Sequence, residues 1–294
     1  MRILKRARTA ARKLLGPRLA ALVRRPFRQK LGALADYRSH LDSKRGLEIG
    51  GPSSILAATG PIPVYDVLAS VDNCLYSSDT IWTGQVGTGN TFVYHPGKPP
   101  GTQLIGDATD LRGISQSSYD CVLASHCLEH VANPLRALAE WKRVLNNHGL
   151  LLLILPHKDG TFDWRRPTTR LSHMMQDFEN GVNEDDLTHL AEIVDLHDLS
   201  KDEAAGTKEQ FHQRCLANHV NRAMHHHVFD TQAALELVDQ AGFHVIRIDT
   251  LKPYHIIILA SVRDGLVDNR RALSADAAHW NLSPFPSDHK PAAN

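Results

Sequence analysis

Glycine and polar residues follow four apolar runs, in positions where they can bind a nucleoside. Gly50-Gly51 ends the first run, and Asp72 comes 22 residues after Gly50. Gly106-Asp107-Ala108 and Ser125-His126 end two later runs. A glycine turn lets the backbone approach a ligand closely, and an acidic side chain at the end of the second strand can hydrogen-bond ribose hydroxyls. The Asp107 carboxylate can accept a hydrogen bond from an exocyclic amine such as adenine N6, so the spacing predicts a nucleotide-type cleft.

Strand and helix patterns alternate along the first half of the chain. A helix begins at Asn133-Pro134 and presents Leu135, Leu138 and Trp141 on one face. Such alternation predicts right-handed βαβ units and a mostly parallel sheet. The runs that we interpret as parallel strands are residues 46–49, 67–72, 103–105, 119–125 and 150–155. In a sheet of this kind, ligands bind outside the carboxyl ends of the strands, where the strand order reverses.

The second half of the chain predicts an insertion and a closing hairpin. From residue 157 the alternation stops and the chain becomes polar, acidic and rich in histidine, whereas residues 244–250 and 255–262 are strand-like again. We therefore predict an α/β fold with a doubly wound, mostly parallel sheet, a closing antiparallel hairpin and a helical insertion after the fifth strand. The predicted segments are a basic amphipathic stretch (1–40), the ligand-binding core (41–156), an insertion that forms the substrate lid (157–228), the completion of the core sheet (229–262) and a flexible tail (263–294).

Charge is distributed unevenly along the chain. The first 30 residues carry eleven Lys or Arg and no Asp or Glu, while the remainder has 22 basic and 32 acidic residues. The basic stretch is interpreted as a solvated helix docked on the acidic body or as a membrane-surface helix. Nucleic acid is disfavoured as a partner because the strand ends and the insertion are acidic on balance. No apolar run approaches the roughly 20 residues of a membrane span, and the four cysteines lack CxxC spacing. We expect a cytoplasmic protein, with peripheral contact to the inner face of the membrane as an alternative.

Three strings carry a resemblance to a known family. They are Gly46-Leu47-Glu48-Ile49-Gly50-Gly51, Asp107-Ala108-Thr109, and Ser125-His126-Cys127-Leu128-Glu129-His130-Val131 followed by Asn133-Pro134. Over residues 46–156 and 229–262 the chain resembles the class I S-adenosylmethionine-dependent methyltransferases, in the group with a Leu-Glu-His signature. The resemblance implies S-adenosylmethionine as cofactor. It places Glu48, Gly50 and Gly51 around the methionine part, Asp72 at the ribose, Asp107 and Ala108 at the adenine, and Ser125 or His126 near the sulfonium. The Gly-Gly-Pro turn departs from the family's three-glycine pattern.

The insertion carries a narrower resemblance. Residues 165–168, 185–189 and 225–230 resemble the Arg-Arg-Pro-Thr, Asp-Asp-x-Thr-His and His-His-His-Val-Phe-Asp segments of a bacterial subgroup associated with glycan and polysaccharide genes. This resemblance implies O-methylation of a saccharide or another small hydroxyl-bearing substrate. A natural-product acceptor, or a non-catalytic regulatory or scaffold protein that binds the cofactor, remains an alternative. The sequence does not predict the oligomeric state.

Methyl transfer to a hydroxyl needs an aligned acceptor and a group that removes its proton. Histidine is the usual base, and we select His126, His157 and His226 from the 18 histidines, most of which we expect to be structural. A divalent metal ion is an alternative, since it would lower the pKa of the hydroxyl without a base. Residues whose side chains could supply such an ion with nitrogen and oxygen ligands are Asp163, His173, Asp186, His189 and His225 to His227. Their spacing matches no known zinc pattern, so none is assigned as a metal ligand.

Overall fold

The computed structural model describes residues 31–289. The basic stretch of the first 30 residues, with its docked-helix, membrane and nucleic-acid interpretations, lies outside the described residues. None of the described helices combines the length and the apolar character that a membrane crossing requires.

Eight strands form one sheet, and two short strands form a separate hairpin. The strands are β1 (Arg45–Ile49), β2 (Ser70–Leu75), β3 (Asp79–Thr80), β4 (Gly84–Gln85), β5 (Gly89–Phe92), β6 (Gly101–Ile105), β7 (Tyr119–Ser125), β8 (Leu145–Pro156), β9 (His244–Leu251) and β10 (His255–Ser261). The sheet order is β5-β6-β2-β1-β7-β8-β10-β9, and β3 pairs with β4.

The five central strands β6, β2, β1, β7 and β8 are parallel. The chain runs outward from β1 through β2 to β6, and outward in the other direction from β7 to β8. The strand order therefore reverses between β1 and β7, and a crevice opens outside their carboxyl ends. Because β10 is antiparallel to both β8 and β9, the predicted doubly wound sheet with a closing antiparallel hairpin is confirmed.

The second strand lies three residues later than the sequence predicts. We expected residues 67–72, whereas β2 extends to Leu75, with Cys74 opposite Ile49. The Gly50 N–H donates to the Cys74 carbonyl at 3.0 Å, which fixes this register at the turn. Asp72 consequently lies in the middle of the strand, and Leu75 and Tyr76 lie at its carboxyl end.

Helices cover the sheet and build the insertion. They are α1 (Leu34–Leu41), α2 (Pro134–Val144), α3 (Leu171–Glu179), α4 (Leu190–Leu196), α5 (Lys208–Leu216), α6 (Asn218–Asn221), α7 (Thr231–Gln240), α8 (Arg270–Leu273) and α9 (Ala278–Leu282). As predicted, α2 begins after Asn133, whose side chain accepts the Arg136 N–H at 3.1 Å. Helices α3 to α6 lie in the predicted insertion, which we call the lid (157–228).

Apolar side chains of the central strands alternate between two core layers. Leu151, Leu153 and Leu155 of β8 pack in the layer that contains Trp141 of α2. Leu150, Leu152 and Ile154 pack in the other layer, with Tyr37 of α1. A continuous apolar run is what a strand buried on both faces requires.

The segment after the hairpin is not the flexible tail that we expected. Through His289 it contains α8 and α9, and its Phe285 ring is buried and stacks on His157 at 4.1 Å between centroids. Asp288 accepts a hydrogen bond from Thr231 Oγ1 at 2.7 Å. The burial of the Phe285 ring and the hydrogen bond to the Asp288 carboxylate therefore attach this segment to the core, although it contains prolines.

Candidate functional site

A cleft with a volume of about 1110 Å³ opens at the carboxyl ends of β1, β2, β6 and β7. The lid forms its opposite wall. Residues that line it from the strand ends include Gly50, Tyr76, Asp107, Ala108, Ser125 and His126, and residues that line it from the lid include Phe162, Lys201, Arg222 and His225. This volume is large enough for a nucleoside-sized ligand together with a small second molecule.

The glycine turn lies where the sequence predicts and is tied to β2. Gly50 has φ +82°, and a Cβ there would lie 3.3 Å from Cys127 Sγ. The Gly51 N–H donates to Asn73 Oδ1 at 2.9 Å, and the Asn73 amide returns a bond to the Gly51 carbonyl at 3.1 Å. A Cβ on Gly51 would lie 2.3 Å from the Glu48 carboxylate. Only glycine therefore fits both positions without displacing a neighbour.

Glu48 supports the turn from below and does not line the cleft. Its carboxylate is buried and accepts hydrogen bonds from the Tyr65 hydroxyl at 2.8 Å and the Ser53 N–H at 3.1 Å. Burial raises the pKa of Glu48 to about 7, although these two donors oppose the shift. The hydrogen bond from the Ser53 N–H makes Glu48 a support for the loop after Gly51.

Asp72 does not reach the cleft, in contrast to its predicted position. Its carboxylate accepts hydrogen bonds from the Thr102 N–H (2.7 Å), the Tyr119 hydroxyl (2.9 Å) and Arg45 (3.1 Å). Burial alone would raise the pKa of Asp72, but these donors lower it below its usual value. A carboxylate that three protein donors already occupy in mid-strand is structural. At the carboxyl end of β2, Tyr76 lines the cleft in its place.

Asp107 and Ala108 line the cleft as predicted, and Asp107 contacts the lid. Arg222 Nη2 lies 2.9 Å from Asp107 Oδ2, and Arg222 Nη1 lies 3.0 Å from Glu184 Oε1. The Arg222 guanidinium also covers the Tyr76 ring at 5.4 Å. Burial opposes ionisation of Asp107, but hydrogen bonds from Thr109 and the charge of Arg222 keep its pKa below the usual value. Arg222 thus closes the cleft over the strand ends that we expect to bind adenine.

Ser125 and His126 lie at the switch point of the sheet. Ser53 Oγ donates to Ser125 Oγ at 3.1 Å, which joins the β1 and β7 loops across the crevice. His126 has φ +51°, and its Nε2 lies 2.9 Å from His255 Nδ1. Its Nδ1 lies 3.6 Å from Glu129 Oε1. Burial lowers the pKa of His255 to about 3, so His126 has a neutral imidazole and a carboxylate as its neighbours.

His225, which the sequence names only as a possible metal ligand within the run of three histidines, lines the same cleft and pairs with the buried Asp163. His225 Nδ1 lies 2.6 Å from Asp163 Oδ2, and Arg166 Nη1 binds Asp163 Oδ1 at 3.0 Å. Burial would lower the pKa of His225, but the carboxylates of Asp163 and Glu129 raise it above its usual value. For Asp163, burial is outweighed by His225 and Arg166, which hold its pKa at about 2.

His157 and His226, both selected as bases, do not line the cleft. His157 is fully buried, with Nε2 at 3.2 Å from Asp288 Oδ1, and it holds the segment after the hairpin. His226 is also buried, with Nε2 at 2.9 Å from the Asn218 amide. Both side chains are therefore structural. The histidine of this run that lines the cleft is His225, one residue before the predicted His226.

Two clusters of described residues bring possible metal-ligating atoms within 4.8 Å of one another: Glu129, His130 and His225 in the cleft, and His173, Asp177 and His189 in the lid. The second cluster contains two of the predicted candidates. The first cluster contains a third candidate, His225. The remaining candidates have other partners: Asp163 pairs with Arg166 and His225, Asp186 accepts the Thr188 hydroxyl at 2.7 Å, His226 contacts Asn218 and His227 contacts the Ala132 carbonyl.

The chain is similar to one family model and to several solved structures. Residues 90–153, from β5 to β8, match the family model described as a methyltransferase domain. Similar solved structures include a SAM-dependent methyltransferase from Methanosarcina mazei (17% identity, 82% of this chain and 100% of that chain, TM-score 0.45). Others are a SAM dependent methyltransferase from Aquifex aeolicus (13%, 87% and 98%, 0.42) and an S-adenosylmethionine dependent methyltransferase from Mesorhizobium loti (13%, 78% and 95%, 0.43). No curated protein sequence matches the chain. The family match supports a methyltransferase domain in the part of the core that contains Asp107, Ala108, Ser125 and His126.

Proposed function

We propose that the protein is an S-adenosylmethionine-dependent O-methyltransferase that acts on a hydroxyl of a saccharide or glycan precursor. The observation that carries this proposal is that His225, which is paired with the buried Asp163, lines the same cleft as the Gly50 turn. One wall thus has the features of a nucleoside site, and the facing wall carries a group that can remove a proton from an acceptor.

The cleft suits a cofactor without phosphates. Residues that line it beside the glycine turn are Pro52, Ser53, Ser54, Ile55 and Thr59, which carry no charge. The lining cations Lys201 and Arg222 come from the lid, and Arg222 is paired with Asp107 and Glu184. A dinucleotide would place its pyrophosphate on the N-terminus of a helix that follows the turn, and residues 52–64 form turns and no helix.

Gly50, Asp107, Ala108 and Ser125 would hold S-adenosylmethionine, whose sulfonium supplies the methyl group. Gly50 has no side chain, which permits its positive φ and leaves the turn open to a ligand. The Asp107 carboxylate accepts hydrogen bonds at the end of β6. Ala108 is fixed by its carbonyl, which accepts the Trp141 indole N–H at 3.0 Å. This set contains four of the residues that the sequence predicts.

His225 is the proposed base in place of His157 and His226. Because Asp163 is ionised and accepts only, the His225 Nδ1 must carry the hydrogen of their 2.6 Å contact. In the neutral ring this leaves the Nε2 lone pair free to take the proton of an acceptor hydroxyl. Arg166, which is buried and also donates to the His225 carbonyl at 2.9 Å, holds the pair in place. His126 is the second candidate, although its Nε2 is engaged by His255.

The lid wall suits a polar acceptor with some apolar surface. Phe162 and Lys201 of the lid line the cleft, and Tyr254 lines it from the turn between β9 and β10. Trp82 lines the same cleft from the β3–β4 hairpin, with half of its surface exposed. Aromatic faces beside hydrogen-bonding groups suit a sugar ring, which has both apolar C–H faces and hydroxyls.

Cofactor binding is tested with a matched pair of glycine variants. Gly50 and Gly89 both have φ +82°, but an added Cβ meets Cys127 at Gly50 and nothing within 4 Å at Gly89. The backbone strain of about 1–2 kcal/mol is therefore common to both. We expect calorimetry with S-adenosylmethionine to show at least tenfold weaker binding for Gly50→Ala and near wild-type binding for Gly89→Ala. Absence of binding to the wild-type protein would refute the cofactor assignment.

Acceptor class is tested by methyl transfer. The protein is incubated with S-adenosylmethionine labelled in the methyl group and with fractionated cell extract, and the labelled product is identified. Label in an alkali-stable methyl ether of a saccharide supports the proposal. Label in a lipid-like or aromatic product favours the natural-product alternative instead.

A regulatory or scaffold role is the second candidate, and one observation favours it. Arg222 occupies the Asp107 carboxylate and covers Tyr76, so the lid closes over the region proposed for adenine. A protein in which cofactor binding serves only to change the conformation of the lid would have such a contact between the lid and the cofactor site. Calorimetric binding without label transfer to any extract fraction would support this second candidate over the enzyme.

A further inference from the structure

Two histidines and an aspartate converge within the lid, outside the cleft lining. His173 Nε2 lies 2.9 Å from His189 Nε2 and 3.4 Å from Asp177 Oδ2. The three ligand atoms all lie within 4.8 Å of one another. None of these residues lines the cleft, so the cluster needs an explanation separate from methyl transfer.

The cluster joins two elements of the lid. His173 and Asp177 lie four residues apart on α3, which brings their side chains to one helix face. His189 directly precedes α4. The C-terminal end of α3 is attached to the core, because the Asp177 carbonyl accepts the Asn133 amide at 3.0 Å. An ion held by the three side chains would therefore join α4 to α3 and, through α3, to the core.

The donor set and its spacing suit a divalent transition metal. Imidazole nitrogen and carboxylate oxygen bind Zn²⁺ at about 2.0–2.2 Å, so ligand atoms of a tetrahedral site lie about 3.3 Å apart. The observed separations of 2.9 and 3.4 Å lie on either side of this value. Small side-chain rotations would bring all three atoms to coordinating distance.

Asp177 supplies a second, independent observation. Its residue surface is 7% exposed, and its Oδ2 accepts no hydrogen bond of acceptable geometry. Buried carboxylate oxygens normally have such partners, because burial without one is costly. The nearby His227 Nε2, at 3.8 Å from this oxygen, already donates to the Ala132 carbonyl at 3.1 Å. A cation would satisfy the unpartnered oxygen.

We infer that His173, Asp177 and His189 form a binding site for a divalent transition-metal ion, with Zn²⁺ as the preferred occupant, that stabilises the lid. The His173 side chain is 37% exposed, so water can enter and complete the coordination shell. The site does not depend on the proposed methyltransferase activity. The other cluster, Glu129 with His130 and His225, lies in the cleft and contains the proposed base.

The test measures metal binding by the full-length protein after treatment with a chelator and its removal. Titration with Zn²⁺ should give one equivalent bound per chain, and a hundredfold excess over Kd should raise Tm by at least about 3 °C. Asp177→Asn and His189→Ala should each weaken Zn²⁺ binding at least about tenfold. His219→Ala, which changes an exposed histidine of α6 in the same lid, is the matched control and should bind as the wild type does.

Three results would overturn the inference: no stoichiometric Zn²⁺ binding, unchanged affinity in both cluster variants, or loss of binding in His130→Ala with retention in Asp177→Asn. Circular dichroism checks that each variant is folded. Asp177→Asn is nearly isosteric, so it decides the outcome if His189→Ala does not fold. Because the readout is metal binding, failure of this site is distinguishable from failure of the methyltransferase proposal.

Discussion

Replacing Asp163 by asparagine tests the proposed base most directly. Asp163 Oδ2 accepts from His225 Nδ1, while its Oδ1 accepts from Arg166. An asparagine can keep the Arg166 bond through its carbonyl oxygen and then presents its NH₂ group to His225. The imidazole must accept at Nδ1 in response, which moves its hydrogen to Nε2. The ring is then in the wrong tautomer to take a proton from the acceptor.

The size of the effect follows from the contact. Charge centres about 4 Å apart at an effective dielectric constant of about 20 interact by about 4 kcal/mol, or about three pKa units. Since burial lowers the pKa of His225 and Asp163 raises it, Asp163→Asn should lower that pKa by one to three units. We expect kcat to fall about 10²- to 10⁴-fold. Because the base must be neutral, activity rises with pH through its pKa, and the acid limb should move to lower pH.

The assay is a pH profile of label transfer to the acceptor fraction, with Asp202→Asn as the matched control. Asp202 also joins a histidine to an arginine in the lid, since it lies 3.2 Å from His197 and 2.9 Å from Arg214. Its histidine partner, His197, does not line the cleft, whereas His225, the partner of Asp163, does. If both variants lose kcat equally and their pH profiles are unchanged, the histidine–aspartate pairs of the lid act only on stability. This result would refute the assignment of His225 as the base.

Three further predictions concern stability and cofactor access. The raised pKa of Glu48 gives a contribution to folding stability that is complete below about pH 4.5 and is lost as pH rises through about 7. The free energy of unfolding of Glu48→Gln, measured in urea, should therefore rise by up to about 3 kcal/mol relative to wild type between pH 5 and pH 8. A pH-independent difference contradicts this. Arg222→Met removes the cation that occupies Asp107 and should tighten S-adenosylmethionine binding three- to tenfold by calorimetry, whereas weaker binding would mean that Arg222 contacts the cofactor. Asp288→Asn removes the partner of His157 and should cost about 1–3 kcal/mol in urea unfolding with kcat unchanged; a large loss of kcat would return His157 to the active site.

The sheet could be predicted from the sequence because its signals are local. The apolar run that became β8 and the polar residues after β6 and β7 stand at the predicted places. The error at Asp72 is one of register, since an apolar run does not show which of its residues reaches the carboxyl end. The backbone bond from Gly50 to Cys74 and the bonds between Gly51 and the Asn73 side chain set that register. Contacts of this kind leave no periodic pattern in a sequence.

The lid and the segment after the hairpin were harder to predict, because their order depends on distant partners. Phe285 and Asp288 attach the segment to His157, about 130 residues away in the chain. The acidic excess of the insertion is partly neutralised internally, since Asp163 pairs with Arg166 and Asp202 with Arg214. Charge composition shows the excess, but it does not show which carboxylates have arginine partners.

Histidine–carboxylate pairing by itself does not identify a catalytic base in this protein. Three histidines lie 3.2 Å or less from a carboxylate: His157 from Asp288, His197 from Asp202 and His225 from Asp163. Of these histidines, only His225 lines the cleft at the strand ends. Within the run of three histidines, neighbouring side chains reach different partners, His226 meeting Asn218 and His227 the Ala132 carbonyl. A histidine that could act as a catalytic base is therefore distinguished from a structural histidine by its position relative to the switch point of the sheet. A difference of one residue along the chain decides that position.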